Sequence, residues 1–545
     1  MSYPLTIQPL VIEDDDRLKD AYEAIFEVIS GEISNSLPFG MAPPCFAFSF
    51  EDAVECLKSS KIFHVVTLDL RLPEKQRMPD VQDVDFGLDL LDRCIKRDRY
   101  PIPALLVISG HVGATDQVRI QDALRDNFWY GRLLVKGDAF LENQIRQACI
   151  QALRYAAVGI HLRDAGEEQY PTLTPRDEDL LRRSVLGQSG SIGLDLNWWS
   201  AKHCPNASGA GGAVYPWTKV LTGRYLLDKG EGASRPKFFK LLAGSDSHSV
   251  INSARRIEQK LTHIKITSTV MSWSTGLIVT EKVGAEAARP KPLGDMFESI
   301  DRASALDIAG QIVNQVQQLG DLLDDSKPLH SLLWPAHDAD ILKEQWNDLH
   351  LRLPAGVPAA DPVVLFLDLS QRDQKLRHRE RPLVHGDLHM SNVALDMTRR
   401  GLEAYVFDPG VMTRSTAGRD LAVLEVSVLL HQRLELPTVV KICSVIYDVE
   451  KPLDVNSCSS LTDPIAQNIV EFIRGLRAGA NAWNPLELYA LLVFDFALIQ
   501  LGGLSFGSAG NKIADARAAG VLMAFVAEWY RSIAGHVVPP TDTVT

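Results

Sequence analysis

The sequence predicts an α/β protein in two parts: an N-terminal doubly wound parallel sheet, then a larger α+β region that ends in helices. Three observations carry the prediction. Short branched apolar runs alternate with amphipathic stretches as far as Tyr155. A polar segment with two prolines, Asp164 to Pro175, then breaks the pattern. Beyond it, strand-like pieces with Gly-rich turns give way near residue 295 to helical periodicity.

The runs of the first part are Leu10-Val11-Ile12, Val65-Val66-Thr67-Leu68, Ala104 to Ile108, and Leu133-Leu134-Val135. Strands of this length separated by helical patterns mark βαβ units. Glu32 to Pro44, with Pro and Gly, reads as an insertion loop. A linker is placed at 156–177. Its end, Thr174-Pro175-Arg176-Asp177, is a helix start: a hydroxyl at the N-cap, Pro at N1 and acid in the first turn. From 178 to 290, strands are expected at Phe238–Leu242 and Leu277–Thr280, with a helix at Ser249–Leu261. From 291 to 538, helices dominate, interrupted by strand-like Leu383-Val384 and Ala404–Phe407.

The chain has 545 residues, 46% of them hydrophobic and 23% charged, which excludes a disordered or collagen-like protein. With 56 basic and 69 acidic residues the formal charge is −13, which argues against coating nucleic acid, since that rests on neutralising phosphates. No helix-turn-helix module or basic stripe follows the first part, so no nucleic-acid partner is expected. The seven cysteines form no CxxC pair, and reduced thiols in a cytoplasmic protein are the simpler reading. The N-terminus lacks a secretory pattern. Ala490–Phe506 is too short and too interrupted to span a bilayer and reads as a buried helix.

In an open α/β sheet, function gathers at the carboxyl ends of the strands. Those ends carry Glu13-Asp14-Asp15-Asp16, Asp69, Ser109-Gly110 and Lys136-Gly137. A carboxylate that attacks a phosphoryl group needs a hard cation, and Mg²⁺ prefers carboxylate oxygens. Glu13 and Asp14 suit the ion, with Asp69 as both ligand and nucleophile. Lys136 offsets phosphoryl charge and Ser109 offers a hydroxyl.

These residues, Val11-Ile12-Glu13-Asp14, Leu68-Asp69-Leu70-Arg71-Leu72-Pro73, Ser109-Gly110 and Lys136, resemble the receiver domain of two-component response regulators over about 5–155. The resemblance implies a five-stranded doubly wound sheet and phosphotransfer onto Asp69. The donor would be a cognate histidine kinase, a phosphotransfer protein or an acyl phosphate. It also implies a backbone carbonyl of Arg71 on the metal. The chain departs from the family at Gly137, where proline is usual, and lacks the aromatic residue expected just ahead of Lys136.

A second constellation is His385-Gly386-Asp387-Leu388-His389-Met390-Ser391-Asn392, followed by Tyr405-Val406-Phe407-Asp408. Phosphoryl transfer from ATP needs a carboxylate near the attacking hydroxyl and metal ligands on the phosphates. Asp387 fits the first role; Asn392 and Asp408 fit the second. Upstream, Lys240 lies between apolar strand residues and can neutralise phosphates, and Glu258 can hold it. Ser208-Gly209-Ala210-Gly211-Gly212 can bring backbone amides to a triphosphate. A second Gly-rich piece, Leu186 to Gly193, competes for that role. His385, Asp387 and His389 as alternating metal ligands is the bland alternative.

The set resembles the aminoglycoside-phosphotransferase and choline-kinase branch of the protein-kinase-like fold over about 178–535, continuing through Gly418-Arg419-Asp420-Leu421-Ala422. It implies a two-lobed α+β domain, with an N-terminal lobe at 178–290 and a helical lobe at 291–538. It also implies ATP with Mg²⁺ and phosphate transfer to an unidentified alcohol. The expectation is a response regulator whose phosphorylation at Asp69 controls that output. The alternative is a pseudokinase that binds nucleotide or a partner without turnover.

Overall fold

The computed structural model describes residues 6–535 except 37–39, 60, 75–85, 92–94, 96–100, 111–113, 137–140, 164–172, 199–218, 229–233, 244–246, 262, 274, 282–290, 324, 330–337, 372–375, 399–400, 408–414, 432–433, 449, 452, 455 and 504–511. It forms two compact units. The first draws on residues up to 198 with 219–247 and 267–280; the second draws on 248–266 and residues from 281 onward.

The first unit begins with a parallel sheet of five strands: β1 (Pro9–Ile12), β2 (Cys45–Ala47), β3 (Val65–Asp69), β4 (Ala104–Ser109) and β5 (Tyr130–Val135). Their spatial order is β2-β1-β3-β4-β5, one of the two common doubly wound orders. The helices are α1 (Lys19–Ser36), α2 (Phe50–Lys58), α3 (Ala114–Asn127) and α4 (Leu141–Ala156). β1, β3 and β4 are buried throughout, as continuous branched runs require in a sheet covered on both faces. Leu10, Val66, Leu68 and Leu105 pack with Ala53 of α2 and Leu124 of α3. Val11, Val65 and Leu106 pack with Phe26 of α1 and Ile145 of α4. Alternate residues of each strand thus fill opposite cores.

Two features differ from the sequence reading. The expected loop from Glu32 begins as the last turn of α1, and Gly40–Met41 pairs in parallel with Thr6–Ile7. The strand β2 is not among the expected runs: Cys45-Phe46-Ala47 is apolar but has no branched side chain, and it forms a short edge strand with Cys45 and Phe46 only half-buried.

The chain leaves α4 and within two residues enters β6 (Gly159–Leu162), so a strand lies inside the segment expected as linker. It pairs in parallel with β7 (Ser191–Trp198), which is antiparallel to β8 (Lys219–Leu227), itself antiparallel to β9 (Lys237–Ala243). With β10 (Ile266–Ser272) and β11 (Thr275–Glu281) the order is β10-β11-β9-β8-β7-β6. Helix α5 (Pro175–Leu186) covers this sheet, burying Leu180, Leu181 and Val185 among Leu194, Leu221, Phe239 and Leu241. Its start matches the sequence reading. The Thr174 hydroxyl accepts from Asp177 N, and the Asp177 carboxylate accepts from Thr174 N, a reciprocal capping box.

The second unit holds α6 (Ser247–Glu258), whose first residue falls to the first unit, and a large helical core. Among its helices are α7 (Arg302–Gln318), α8 (Arg419–His431), α9 (Pro464–Asn481) and α10 (Leu486–Gly503). The apolar stretch from Ala490 lies in α10, buried as expected. Among the described residues, no helix is long and apolar enough to cross a membrane. Strand β12 (Arg377–Arg381) pairs with Ser326–Pro328 and Ser415–Thr416. It ends ahead of Leu383-Val384, which forms no strand, because Pro382 has no N–H to continue the ladder. β13 (Val393–Thr398) and β14 (Gly401–Val406) form an antiparallel hairpin.

Candidate functional site

Register brings the carboxyl ends of the parallel strands level. Asp69 lies opposite Ile108, and Ser109 opposite Val135. Glu13 and Lys136 each follow the last residue of β1 and β5. The Lys136 ammonium donates to Asp69 Oδ2 at 2.6 Å and to Glu13 Oε1 at 2.8 Å, and lies 3.6 Å from Asp14 Oδ1. Lys136 N donates to the Ser109 carbonyl at 2.9 Å. Arg71 N donates to Asp69 Oδ1 at 3.1 Å, so the residue expected to offer a carbonyl also orients the Asp69 carboxylate through its amide. Glu13, Asp69 and Ser109 are buried, and Asp14 is exposed.

The electrostatics follow from three carboxyl groups against one ammonium, an excess of two negative charges when all are ionised, in a largely buried pocket. Burial pushes Glu13 up to about 7, with Lys136 opposing. Burial likewise raises Asp69, again against Lys136. Burial depresses Lys136, but its hydrogen bonds to Asp69 and Glu13 outweigh that and hold it above the usual lysine range. Glu13, Asp14 and Asp69 each offer an oxygen, all within 4.8 Å of one another. A hard divalent cation with oxygen preference fits that donor set and relieves its charge.

Sequence reading passed over Gly87, at the start of a short helix after the Asp69 loop. Its N donates to the Leu70 carbonyl at 3.1 Å, and a Cβ there would sit 2.7 Å from that oxygen. Glycine is needed for that close approach. A lone glycine following the charged 75–85 stretch gave no sign of it.

In the second unit, residues 385–392 form a loop tied down along its length. Asp420, at the start of α8, is buried and accepts from His385 N at 2.7 Å and Gly386 N at 3.0 Å. Gly386 has φ of +79°, which side chains rarely adopt. Two turns along α8, Ser427 Oγ accepts from Met390 N at 2.9 Å. Asn392 Nδ2 donates to the Asp387 carbonyl at 2.7 Å, closing the loop. The half-buried Asp387 carboxylate has His389 Nε2 3.8 Å away.

The loop is also tied to β14. Phe407 N donates to the Asn392 carbonyl, and His385 Nε2 donates to the Phe407 carbonyl, both at 2.9 Å. That spends His385 on a backbone bond rather than on a metal. Two glutamines on α7 pin β14 in turn. Gln311 donates to Leu402 O and accepts from Ala404 N. Gln315 donates to Ala404 O and accepts from Val406 N. Residues four apart on a helix thereby match residues two apart on a strand.

Lys240 lies on β9, buried, opposite Val220. Glu258 ends α6, and its Oε1 accepts from Ile266 N at 2.8 Å. Lys240 belongs to the first unit and Glu258, Asp387 and Asn392 to the second. Asp408 and the segment Ser208, Gly209, Gly211 and Gly212 lie outside the described residues. The competing Gly-rich piece is the turn from α5 into β7: Gly187 caps the helix and Gly190 has φ of +74°.

No protein-family profile and no curated protein matches the chain. Among solved structures, an aminoglycoside-3'-phosphotransferase of type VIII is 18% identical, covering 54% of this chain and 98% of its own, with a TM-score of 0.26. A microcompartment-associated aminopropanol kinase is 13% identical, covering 59% and 91%, with a TM-score of 0.28. An adenylate cyclase from Rhodopirellula baltica is 18% identical, covering 27% and 90%, with a TM-score of 0.18. Likeness at this distance carries no argument about function, which rests on the residues themselves.

Proposed function

We propose that the chain is a phosphorylation-responsive regulator, in which a receiver-like domain accepts phosphate on Asp69 and an ATP-dependent phosphotransferase-like domain is its output. The observation that carries the reading is the Lys136 ammonium at 2.6 Å from Asp69 and 2.8 Å from Glu13, at the carboxyl edge of a 2-1-3-4-5 sheet. In the first reaction an Asp69 oxygen attacks the phosphorus of a phosphohistidine or acyl phosphate. The P–N or P–O bond breaks, and the leaving group keeps its electron pair. Lys136 is placed to offset charge on the arriving phosphoryl, and the buried Ser109 to hydrogen-bond it. Mg²⁺, held by Glu13, Asp14, Asp69 and the Arg71 carbonyl, would supply charge neutralisation.

The output reading is supported by the anchored loop. Asp387 is half-exposed on a backbone fixed by Asp420, Ser427 and Asn392, as a base awaiting an alcohol proton requires. The alcohol oxygen would form the new bond to the γ-phosphorus, its proton passing to Asp387 while ADP departs. Asn392, on the same loop, would hold the Mg²⁺ of the nucleotide.

Incubation with acetyl phosphate and Mg²⁺, followed by intact mass, tests the first half. Wild type should gain one phosphate and Asp69→Ala none; no gain from acetyl phosphate or from a phosphorylated histidine-kinase domain sinks it. ATP consumption by wild type and Asp387→Asn tests the second. Equal rates with nucleotide still bound would leave a binding module rather than an enzyme.

A further inference from the structure

Two consecutive arginines on α5 each grip the C-terminus of a different helix of the parallel-sheet domain. Arg182 donates to the carbonyls of Tyr155 and Ala156 at 3.4 Å and to Val158 at 2.6 Å, capping α4. Arg183 donates to the carbonyls of Asp126 at 3.0 Å and Asn127 at 3.2 Å, capping α3. A helix C-terminus carries unsatisfied carbonyls and partial negative charge, so a guanidinium is well matched to it. The grip is itself held. The buried Asp179 lies 3.7 Å from Arg183 and accepts from Tyr155 OH, on α4, at 2.9 Å. A second contact reinforces the α3 end. Trp273 N, in the turn between β10 and β11, donates to Asn127 Oδ1, and its ring meets Phe128 edge-on at 6.0 Å. Trp273 has φ of +49°, an unfavourable conformation for a bulky side chain that this contact helps to fix.

These contacts lie within one unit. α3 is the next helix in the chain after the strand that ends in Ser109, four residues on, and its 14 residues carry the chain about 21 Å, at 1.5 Å per residue, to the contact with Arg183 and Trp273. The other face of α5 places Leu181 and Val185 in one apolar cluster with Phe239 and Leu241, the two neighbours of Lys240 on β9.

We propose that Arg182 and Arg183 are the coupling residues through which the phosphorylation state of Asp69 is read by the Lys240-bearing sheet. A shift of α3 relative to α4, driven at the Ser109 end, rotates α5 through its two arginines and is felt by β9. This regulation rests on the reading of Asp69 as a phosphoacceptor.

The test is hydrogen–deuterium exchange on full-length protein with and without acetyl phosphate and Mg²⁺, with phosphate incorporation followed by intact mass. In wild type, phosphorylation should change exchange of peptides covering β9 and the β10–β11 turn by at least about fivefold, the low end of ordinary coupling between sites. The Arg182→Ala/Arg183→Ala variant should still take up phosphate but lose that change. Arg183→Lys, which keeps charge at the α3 terminus but loses the forked geometry, should show a reduced change and covers the case in which the double variant does not fold. A purely structural role would alter exchange equally in both phosphorylation states. Phosphate uptake by wild type without a change in the sheet, or an undiminished change in the variants, overturns the coupling alone. Failure of wild type to take up phosphate from any donor overturns the Asp69 reading and the coupling with it.

Discussion

Replacing Lys136 with methionine shortens the side chain by one atom and removes its charge from a pocket of three carboxylates. The two oxygens it contacts most closely, on Glu13 and Asp69, belong to side chains only 2–3% exposed. Breaking a fully buried ion pair from one side costs about 3–5 kcal/mol. The Lys136 side chain is itself 34% exposed, so water screens part of the interaction, and about 1–3 kcal/mol is the reasonable loss. Proton uptake by Glu13, already pushed up to about 7 by burial, relieves some of the repulsion that remains.

A divalent cation should relieve more. In wild type the ion competes with the ammonium for Glu13 and Asp69; in Lys136→Met it does not. Mg²⁺ at about 100 times its Kd stabilises by about 2.7 kcal/mol, so at one fixed concentration the variant should gain more than wild type. Urea unfolding followed in the first unit, with and without Mg²⁺, measures both effects. The shift between conditions is the quantity to compare, because a chain of two units need not unfold in one step. Adding Glu13→Gln should restore part of the loss, with a coupling energy above about 0.5 kcal/mol in the double-mutant cycle. Equal stability of the variant without Mg²⁺, or equal Mg²⁺ shifts in both proteins, would refute the charge argument.

Asp420→Asn replaces a carboxylate that accepts two backbone N–H groups with an amide whose NH₂ faces one of them. It should cost about 1–3 kcal/mol in unfolding of the second unit and lower any ATP consumption; a change under about 0.5 kcal/mol would count against the anchoring role. Gln315→Met removes the bonds to Ala404 O and Val406 N. It should raise the Mg²⁺ concentration needed for nucleotide binding more than it lowers the melting temperature, while Gln315→Glu, which keeps the acceptor, should recover part of the effect. His64 Nδ1 accepts from Gln8 N at 3.2 Å, and burial pushes its pKa down to about 4. The unfolded chain therefore binds a proton that the folded one resists between about 6.5 and 4. His64 should cost up to about 3 kcal/mol of stability as pH falls through that window and nothing above it. His64→Gln should flatten that part of the pH–stability curve; identical curves would reject the assignment.

The acidic pocket was legible because its groups sit next to strand ends. Once Leu10–Ile12, Val65–Leu68, Ala104–Ile108 and Leu133–Val135 are read as parallel strands, Glu13, Asp69, Ser109 and Lys136 have only one edge to occupy. The loop from His385 to Asn392 was legible because its residues are consecutive. What escaped is held by backbone, or by residues far apart in the chain. Ser427 binds the loop through a main-chain amide 37 residues earlier, and Gly87 matters for a contact with a carbonyl rather than for its side chain. The strands β7 and β8 escaped because Asp195, Asn197, Thr222 and Arg224 interrupt their apolar residues; read at period two, Leu194-Asp195-Leu196 is a half-buried strand.

Arg182 and Arg183 are the instructive case. On an amphipathic helix two adjacent arginines are ordinary solvated residues by pattern, and nothing local marks them otherwise. They are distinguished by what lies opposite them: two helix ends whose carbonyls have no partner within their own helix. Each terminus needs donors; the two residues between α4 and β6 supply some, Ala157 N to the Leu153 carbonyl and Val158 N to the Tyr155 carbonyl, and Arg182 adds others from a different element. Inserting a flexible Gly-Ser stretch between Ala156 and Gly159 should loosen the Arg182 contact to Val158 while sparing the Arg183 contact to α3. Exchange at the α4 C-terminus should then rise while that at Asn127 holds; a rise at both ends would mean that the connection, rather than the arginines, holds α3 and α4 to the sheet.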